Sequence, residues 1–219
     1  MILNYLNPQT NYTAQERIMN LIYLGAVRRD QLLFLLSGCL KHARVDQVLQ
    51  ELRRRGCLST VYTSSRGEAI YFLTRRGLRQ IGEDGAKTAR HRLTYHVSVT
   101  EILCRCIDEF GVHGWEWHSR PDDSDTIPSV RVRAKDATLY LDIDDGLRLS
   151  RQLYTTCERY MRLFRDTTPA RILFVAANEQ RKKYLKNRIR VWSGEGVSFE
   201  VCGLDQVTDF LRHIPVTTG

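Results

Sequence analysis

Lys41-His-Ala-Arg-Val-Asp-Gln-Val-Leu-Gln-Glu-Leu-Arg-Arg-Arg-Gly56 is the stretch on which the reading of the chain turns. Val45, Val48, Leu49 and Leu52 fall at i, i+3, i+4 and i+7, the one-sided apolar stripe of an amphipathic helix, and Gly56 supplies a left-handed stop. At about 100° per residue the opposite side carries Ala43, Gln47, Gln50 and Arg54, with Arg44 and Asp46 on its flanks. A small residue permits close approach, amides bond base edges in pairs, and arginines suit phosphate or guanine. Such a face alone is more often merely solvated, so its neighbours must decide.

Upstream, Thr13-Ala-Gln-Glu16 has the form of a capping box and predicts a helix that ends near Gly25. A second helix is expected from Asp30, as N-cap, through Leu36 to a turn at Ser37 and Gly38. Three short helices with a tight glycine-containing turn between the second and third form a helix-turn-helix pattern. Downstream, 57–63 and 69–73 read as strands, and Ser64-Ser-Arg-Gly-Glu68 as a hairpin loop with a basic tip. Thr74 then caps a helix through Ile81. This order predicts a winged helix-turn-helix domain over 1–84, followed by a linker over 85–90. In a DNA complex Ala43, Arg44, Gln47 and Gln50 would face base edges, while Lys41, His42, Arg54 and Arg66 of the wing would hold phosphates. Arg53 and Arg55 are expected on the flanks, near the C-terminal carbonyls of the helix. The competing reading of the same pattern is a protein-docking module.

Charge agrees with the first reading. The chain has 219 residues, is 42% hydrophobic and carries a net charge of +8. Residues 1–90 hold 14 Lys/Arg against 7 Asp/Glu, and residues 91–219 hold 19 against 18. The basic excess therefore belongs to the first part and points to an acidic partner, double-stranded DNA before a membrane surface. No apolar run approaches the roughly 20 residues of a membrane span, and the N-terminus lacks the pattern of a secretory signal. Six scattered cysteines without a CxxC pair are expected as reduced thiols, so a cytoplasmic location is anticipated. No metal or cofactor is expected from their spacing, and neither a Walker loop nor a dinucleotide fingerprint occurs.

From about residue 91 the pattern becomes that of an α/β domain. A helix over 94–110 precedes three strands at 114–118, 130–133 and 138–144. A helix over 149–164, a strand over 171–177, a basic helix over 179–191, a strand over 197–201 and a last helix over 204–214 follow. The order α-β-β-β-α-β-α-β-α predicts a mixed sheet over 91–219. Asp142 and Asp144 share one face of their strand and would suit a hard divalent cation, which opens the alternative of a metal-dependent DNA nuclease. Asp122, Asp123 and Asp125 form an acidic loop before them. The simpler expectation pairs both aspartates with Arg131 or Arg133 on the neighbouring strand. The cluster Arg181, Lys182, Lys183, Lys186, Arg188 and Arg190 reads as a solvated helix face that could extend a phosphate-binding surface.

The run from Thr13 to Gly56, the strand end Phe72-Leu-Thr-Arg-Arg-Gly77, His91, Leu141-Asp-Ile-Asp-Asp-Gly146 and Tyr160-Met-Arg-Leu-Phe164 together resemble the replication-relaxation family of plasmid and mobile-element proteins. The resemblance implies a winged helix joined to a degenerate restriction-endonuclease-like domain. Active members of that nuclease fold carry an aspartate on the second strand and an acidic-x-lysine motif on the third. Here Ser129 stands where the first aspartate belongs and Asp144 where the lysine belongs, so the resemblance implies a non-catalytic DNA-binding regulator or replication accessory factor. Homodimerisation on paired half-sites, and a replication or transcription partner protein, are further expectations.

Overall fold

Local capping chemistry sets where the first helices begin and end. The computed structural model describes residues 3–25, 27–62, 68–83, 93–110, 115–117, 130–133, 138–144, 146, 148–164, 170–192 and 196–213. After a single turn, α1 (Leu3–Leu6), comes α2 (Ala14–Tyr23), whose capping box is complete: Thr13 Oγ1 accepts from the Glu16 amide at 3.2 Å and the Glu16 carboxylate accepts from the Thr13 amide at 2.7 Å. That amide, then the Thr13 hydroxyl, holds the Glu16 carboxyl below its ordinary range.

Helix α3 (Arg29–Leu35) departs from expectation, because Arg28 rather than Asp30 is its N-cap. Gln31 Oε1 accepts the Arg28 amide at 3.2 Å, and Asp30, already inside the first turn, pairs with the Arg28 guanidinium. Helix α4 (His42–Arg54) ends in a Schellman arrangement. The Cys57 amide donates to Leu52 O at 2.8 Å and the Gly56 amide to Arg53 O at 2.9 Å, with Gly56 at φ 67°. Val45, Val48, Leu49 and Leu52 are buried together with Ile18, Leu21, Ile22, Leu32 and Leu36 of the preceding helical segments.

Strands β1 (Leu58–Tyr62) and β2 (Ala69–Leu73) form an antiparallel hairpin with Leu58 opposite Leu73. A bridge between Arg28 and Ile70, with the Tyr71 amide donating to Val27 O at 2.7 Å, adds the extended segment before α3 to the edge of this hairpin. Helix α5 (Arg75–Gln80) starts at Thr74, whose Oγ1 accepts from the Gly77 amide. A Cβ on Gly77 would lie 2.3 Å from Cys57 O, a backbone atom that cannot swing aside. Gly77→Ala should therefore destabilise the chain by about 1–3 kcal/mol through overpacking. Urea unfolding followed by circular dichroism checks this, and an unchanged midpoint would refute the close approach.

Contacts divide the chain into units at 1–104 and 105–219, so the division falls inside α6 (Leu93–Phe110) rather than in the 85–90 stretch. The reason is visible in the first unit: Gln31 Nε2 donates to Val97 O at 3.0 Å and Thr100 Oγ1 donates to Gly25 O at 2.7 Å. Both side chains are buried, and both bonds bind the start of α6 to the α2–α3 region.

The second unit is built on a five-stranded mixed sheet in the order β3 (Trp115–Trp117), β4 (Val130–Arg133), β5 (Thr138–Asp144), β6 (Ala170–Ala176), β7 (Val197–Gly203). The first three strands are antiparallel neighbours and the last three are parallel. Parallel pairing requires crossovers, and α7 (Ser150–Leu163) and α8 (Glu179–Ile189) supply them. Leu153, Cys157, Tyr160, Leu185 and Ile189 of these helices pack with Ile172, Phe174 and Val197 in one core, so both lie on one face of the sheet. A short turn at Leu204–Gln206 leads into α9 (Val207–Arg212), whose Arg212 pairs with Glu109 at 2.7 Å. None of the six cysteines forms a disulfide, and among the described residues no helix is long and apolar enough to cross a membrane.

Candidate nucleic-acid interface and a buried ion-pair network

Helix α4 presents Lys41, His42, Ala43, Arg44, Gln47, Gln50 and Arg54 to solvent, all of them exposed. Because its apolar stripe is fully taken up by the core, the helix cannot rotate to hide them. Ala43, Gln47, Gln50 and Arg54 follow one another at i, i+4, i+7 and i+11 and form a single ridge. Arg44 Nη1 donates to Gln47 Oε1 at 2.9 Å, which holds these two side chains beside each other. Asp46, the acidic residue on the flank, accepts from Arg29 Nε and Nη2 at 2.6 Å each. That hydrogen bonding lowers the Asp46 carboxyl from its ordinary range. Its charge is thus engaged sideways by α3, and the ridge remains basic.

At the C-terminal end of α4 the surface dips into an open groove of about 440 Å³ lined by Gln50, Arg53, Arg54, Leu58, Ser59 and Thr60. Two guanidinium groups and two hydroxyl side chains here make a surface suited to phosphate oxygens. The participation of Ser59 and Thr60 was not legible in the sequence, because it depends on β1 turning back beside α4. Arg53, expected on the flank near the C-terminal carbonyls of the helix, lines this groove. Arg55 does lie to the side, with Arg55 Nη1 3.7 Å from Glu51 and donating to Gln15 Oε1 at 3.2 Å. Arg66, expected at the hairpin tip, lies outside the described residues.

The two aspartates of β5 sit in a different setting. Both are buried, at 4% exposure for Asp142 and 1% for Asp144. Asp142 accepts from Arg148 Nη2 at 2.9 Å, Arg148 Nη1 at 3.2 Å and Tyr160 Oη at 2.7 Å. Asp144 accepts from Arg181 Nε at 2.8 Å, Arg181 Nη2 at 3.0 Å and the Gly146 amide at 2.8 Å. Arg181 further donates to Arg148 O and lies 4.5 Å from the centroid of the Tyr184 ring.

The expected partners Arg131 and Arg133 do not stand directly across from either aspartate. They stand opposite Tyr140 and Thr138, and β4 begins with Val130 opposite Leu141, so Asp142 and Asp144 extend past it. Charge compensation comes instead from the loop after β5 and from α8. Burial pulls the Arg148 pKa down, but the facing Asp142 charge and hydrogen bonds outweigh it and the guanidinium is held charged. Burial also pushes the Cys157 thiol up to about 12, with Asp142 adding to the effect.

A divalent cation needs carboxylate oxygens that are open to it. All four oxygens of this pair already accept hydrogen bonds, most of them from guanidinium groups. Among the described residues no group of three or more His, Cys, Asp or Glu side chains is arranged to hold a metal ion. Asp122, Asp123, Asp125 and Ser129 lie outside the described residues. Arg148, Arg181 and Tyr160 are the residues that sequence reading missed here. No spacing rule connects them with the aspartates, since the contacts depend on crossovers of the sheet.

Compared with protein-family models, with characterised proteins and with solved structures, the chain gives no significant match.

Proposed function

We propose that this chain is a double-stranded DNA-binding regulator or replication accessory protein of a bacterial mobile element, without catalysis of its own. The observation that carries the reading is the exposed ridge of α4, where a small residue, two amides and flanking arginines stand on a helix locked in place by its apolar side. Helices α2, α3 and α4, the β1–β2 hairpin and α5 then read as a winged helix, with α4 as the groove-reading helix. The extended segment at Val27 and Arg28 on the hairpin edge supports that reading, since it ties the helices to the wing. For the second unit, the strand order and crossovers support a restriction-endonuclease-like fold. Engagement of Asp142 and Asp144 by arginines leaves no carboxylate oxygen open to a metal and so supports the reading without hydrolysis, the second unit then serving for assembly or partner binding. The mobile-element setting rests on the resemblance to replication-relaxation proteins.

The test is fluorescence anisotropy with the duplex upstream of the gene encoding the chain and with random duplex, at two salt concentrations. The expected result is site-selective binding that weakens steeply with salt, because phosphate contacts release counterions. Arg44→Ala combined with Gln47→Ala should cost about 1–3 kcal/mol per lost base contact at the preferred site and little on random duplex. Binding of the double variant as tight as that of the parent would sink the assignment of α4. Association with a partner protein that does not respond to salt, without duplex binding, would favour the docking-module reading.

A further inference from the structure

The second unit is close to neutral as a whole, yet its cations are not evenly spread. Helix α8 carries Arg181, Lys182, Lys183, Lys186 and Arg188 against Glu179 alone. Two of these cations serve internal purposes, Arg181 on Asp144 and Lys182 on Glu179 at 2.8 Å each. Lys183, Lys186 and Arg190 are exposed, and among the described residues none is paired with a carboxylate. They follow at i, i+3 and i+7, a span of about 10 Å at 1.5 Å per residue, along one side of the helix. On the same face of the sheet, α7 turns Arg151 and Arg162 outward, at positions opposite its buried Leu153, Cys157 and Tyr160. Glu158 lies between Arg151 and Arg162 on that side of α7, so the cations are densest along α8, with α7 adding two arginines beside them.

From this we infer that the outer face of α7 and α8 is a second nucleic-acid contact, one that binds the phosphate backbone of a duplex without reading its sequence. The cations are long, exposed and spaced within one helix length, which suits the closely set charges of a duplex backbone. A lipid surface fits less well, because the exposed Leu149, Leu163 and Val191 stand at the ends of α7 and α8 and form no continuous apolar face along either helix. Membrane-lying helices bury an apolar face in the bilayer, whereas Leu185 and Ile189, the apolar side of α8, are already buried in the protein core. Amide and aromatic side chains accompany the cations: Asn187 is exposed on α8, and Tyr154 of α7 lies 5.7 Å, ring to ring, from Trp192. The inference does not depend on α4, because the two basic surfaces belong to different units and different helices.

The experiment uses the full chain in four forms: parent, the α4 variant Arg44→Ala/Gln47→Ala, the α8 variant Lys183→Glu/Lys186→Glu/Arg190→Glu, and both together. Binding to random duplex and to the duplex upstream of the gene encoding the chain is measured across salt, with circular dichroism confirming that each form is folded. All three α8 positions are solvent-exposed, so the fold should tolerate their reversal. Each lost phosphate contact lowers the salt slope by about 0.9, so the α8 variant should lose about 2 to 3 from the slope. Its affinity for random duplex should fall at least tenfold, while its ratio of preferred-site to random binding stays at the parent value. An unchanged slope and affinity would overturn the inference and leave the α4 reading standing. Loss of duplex binding in the α8 variant, with the α4 variant equal to parent at the preferred site as well as on random duplex, would uphold this surface and reject α4. Salt-sensitive binding to phosphatidylserine vesicles that the α8 variant loses, with duplex binding unaltered, would also overturn it, in favour of a membrane contact.

Discussion

Asp144→Ala is expected to destabilise the second unit by about 3–5 kcal/mol, the usual consequence of removing one member of a buried charge pair. The Arg181 side chain is 13% exposed and that of Asp144 is fully buried, so the remaining guanidinium would lie away from water without its counter-charge. Its bond to Arg148 O and its stacking on Tyr184 would still hold it in place, which prevents it from simply swinging into solvent. All three tryptophans, Trp115, Trp117 and Trp192, belong to this unit, so urea unfolding followed by tryptophan emission reports on it alone. The double variant Asp144→Leu/Arg181→Met should recover most of the loss, because replacing a whole buried pair by apolar groups of similar size is often neutral. The same measurement bears on catalysis. If Asp144→Ala left stability unchanged while abolishing a metal-stimulated nicking activity of the parent, the carboxylate would be a catalytic group and its pairing with Arg181 incidental. The geometry predicts the reverse, a protein whose stability depends on Asp144 and which shows no nicking to lose.

This network also marks the limit of what the sequence could reveal. The ridge of α4, its Schellman end and the capping box at Thr13 were legible because each is written within a few residues, in a helical period or a cap. The strand and helix order of the second unit was legible for the same reason, to within a residue or two at most boundaries. Asp142 and Asp144 were correctly placed together on one face of a strand, but their partners were not. The pairing with Arg131 or Arg133 assumed that they stand across from the aspartates, whereas they lie opposite Tyr140 and Thr138. What replaced it came from Arg148, four residues past the strand, and from Arg181, 37 positions beyond Asp144. Such contacts are set by how crossovers return to the sheet, and periodicity carries no information about that. Likewise Asp30 looked like a helix cap by residue type, yet Gln31 serves the Arg28 amide because its side chain is buried and also reaches Val97 O. Tertiary context chose between two locally acceptable caps.

The same contrast applies most sharply to Arg17, a charged residue inside the first turns of α2 that composition would place on the surface. It is only 4% exposed. Its Nη1 donates to Tyr5 O at 2.6 Å and Asn7 O at 2.9 Å, its Nη2 to Thr10 O at 2.7 Å and its Nε to Tyr12 O at 3.2 Å. One guanidinium thus gathers four carbonyls from the segment before α2, including the end of α1. Only a planar fork with five N–H groups can serve so many acceptors at once. Arg17→Met would strip this donor from the Tyr5, Thr10 and Tyr12 carbonyls, while Asn7 O keeps the Thr10 hydroxyl and amide. At about 1–3 kcal/mol for each carbonyl that stays buried, a total loss of about 3 kcal/mol is expected once water reaches some of them. Arg17→Lys should recover less than half, since an ammonium group offers three donors and no fork. Amide exchange gives the more specific check: residues 3–12 should lose protection in Arg17→Met, while the α6 amides of the second unit keep theirs. A stability within 0.5 kcal/mol of the parent would show that the carbonyl cluster contributes nothing. A consequence for the proposed DNA binding follows from packing. Ile18, next to Arg17, is buried with Val45 and Leu52 of α4 in the same core, so loosening α2 weakens the support that holds the α4 ridge outward. On the proposed DNA-binding reading, Arg17→Met should therefore bind duplex as the parent does where the first unit remains folded and lose affinity at a lower temperature, although Arg17 itself is too deeply buried to touch the duplex.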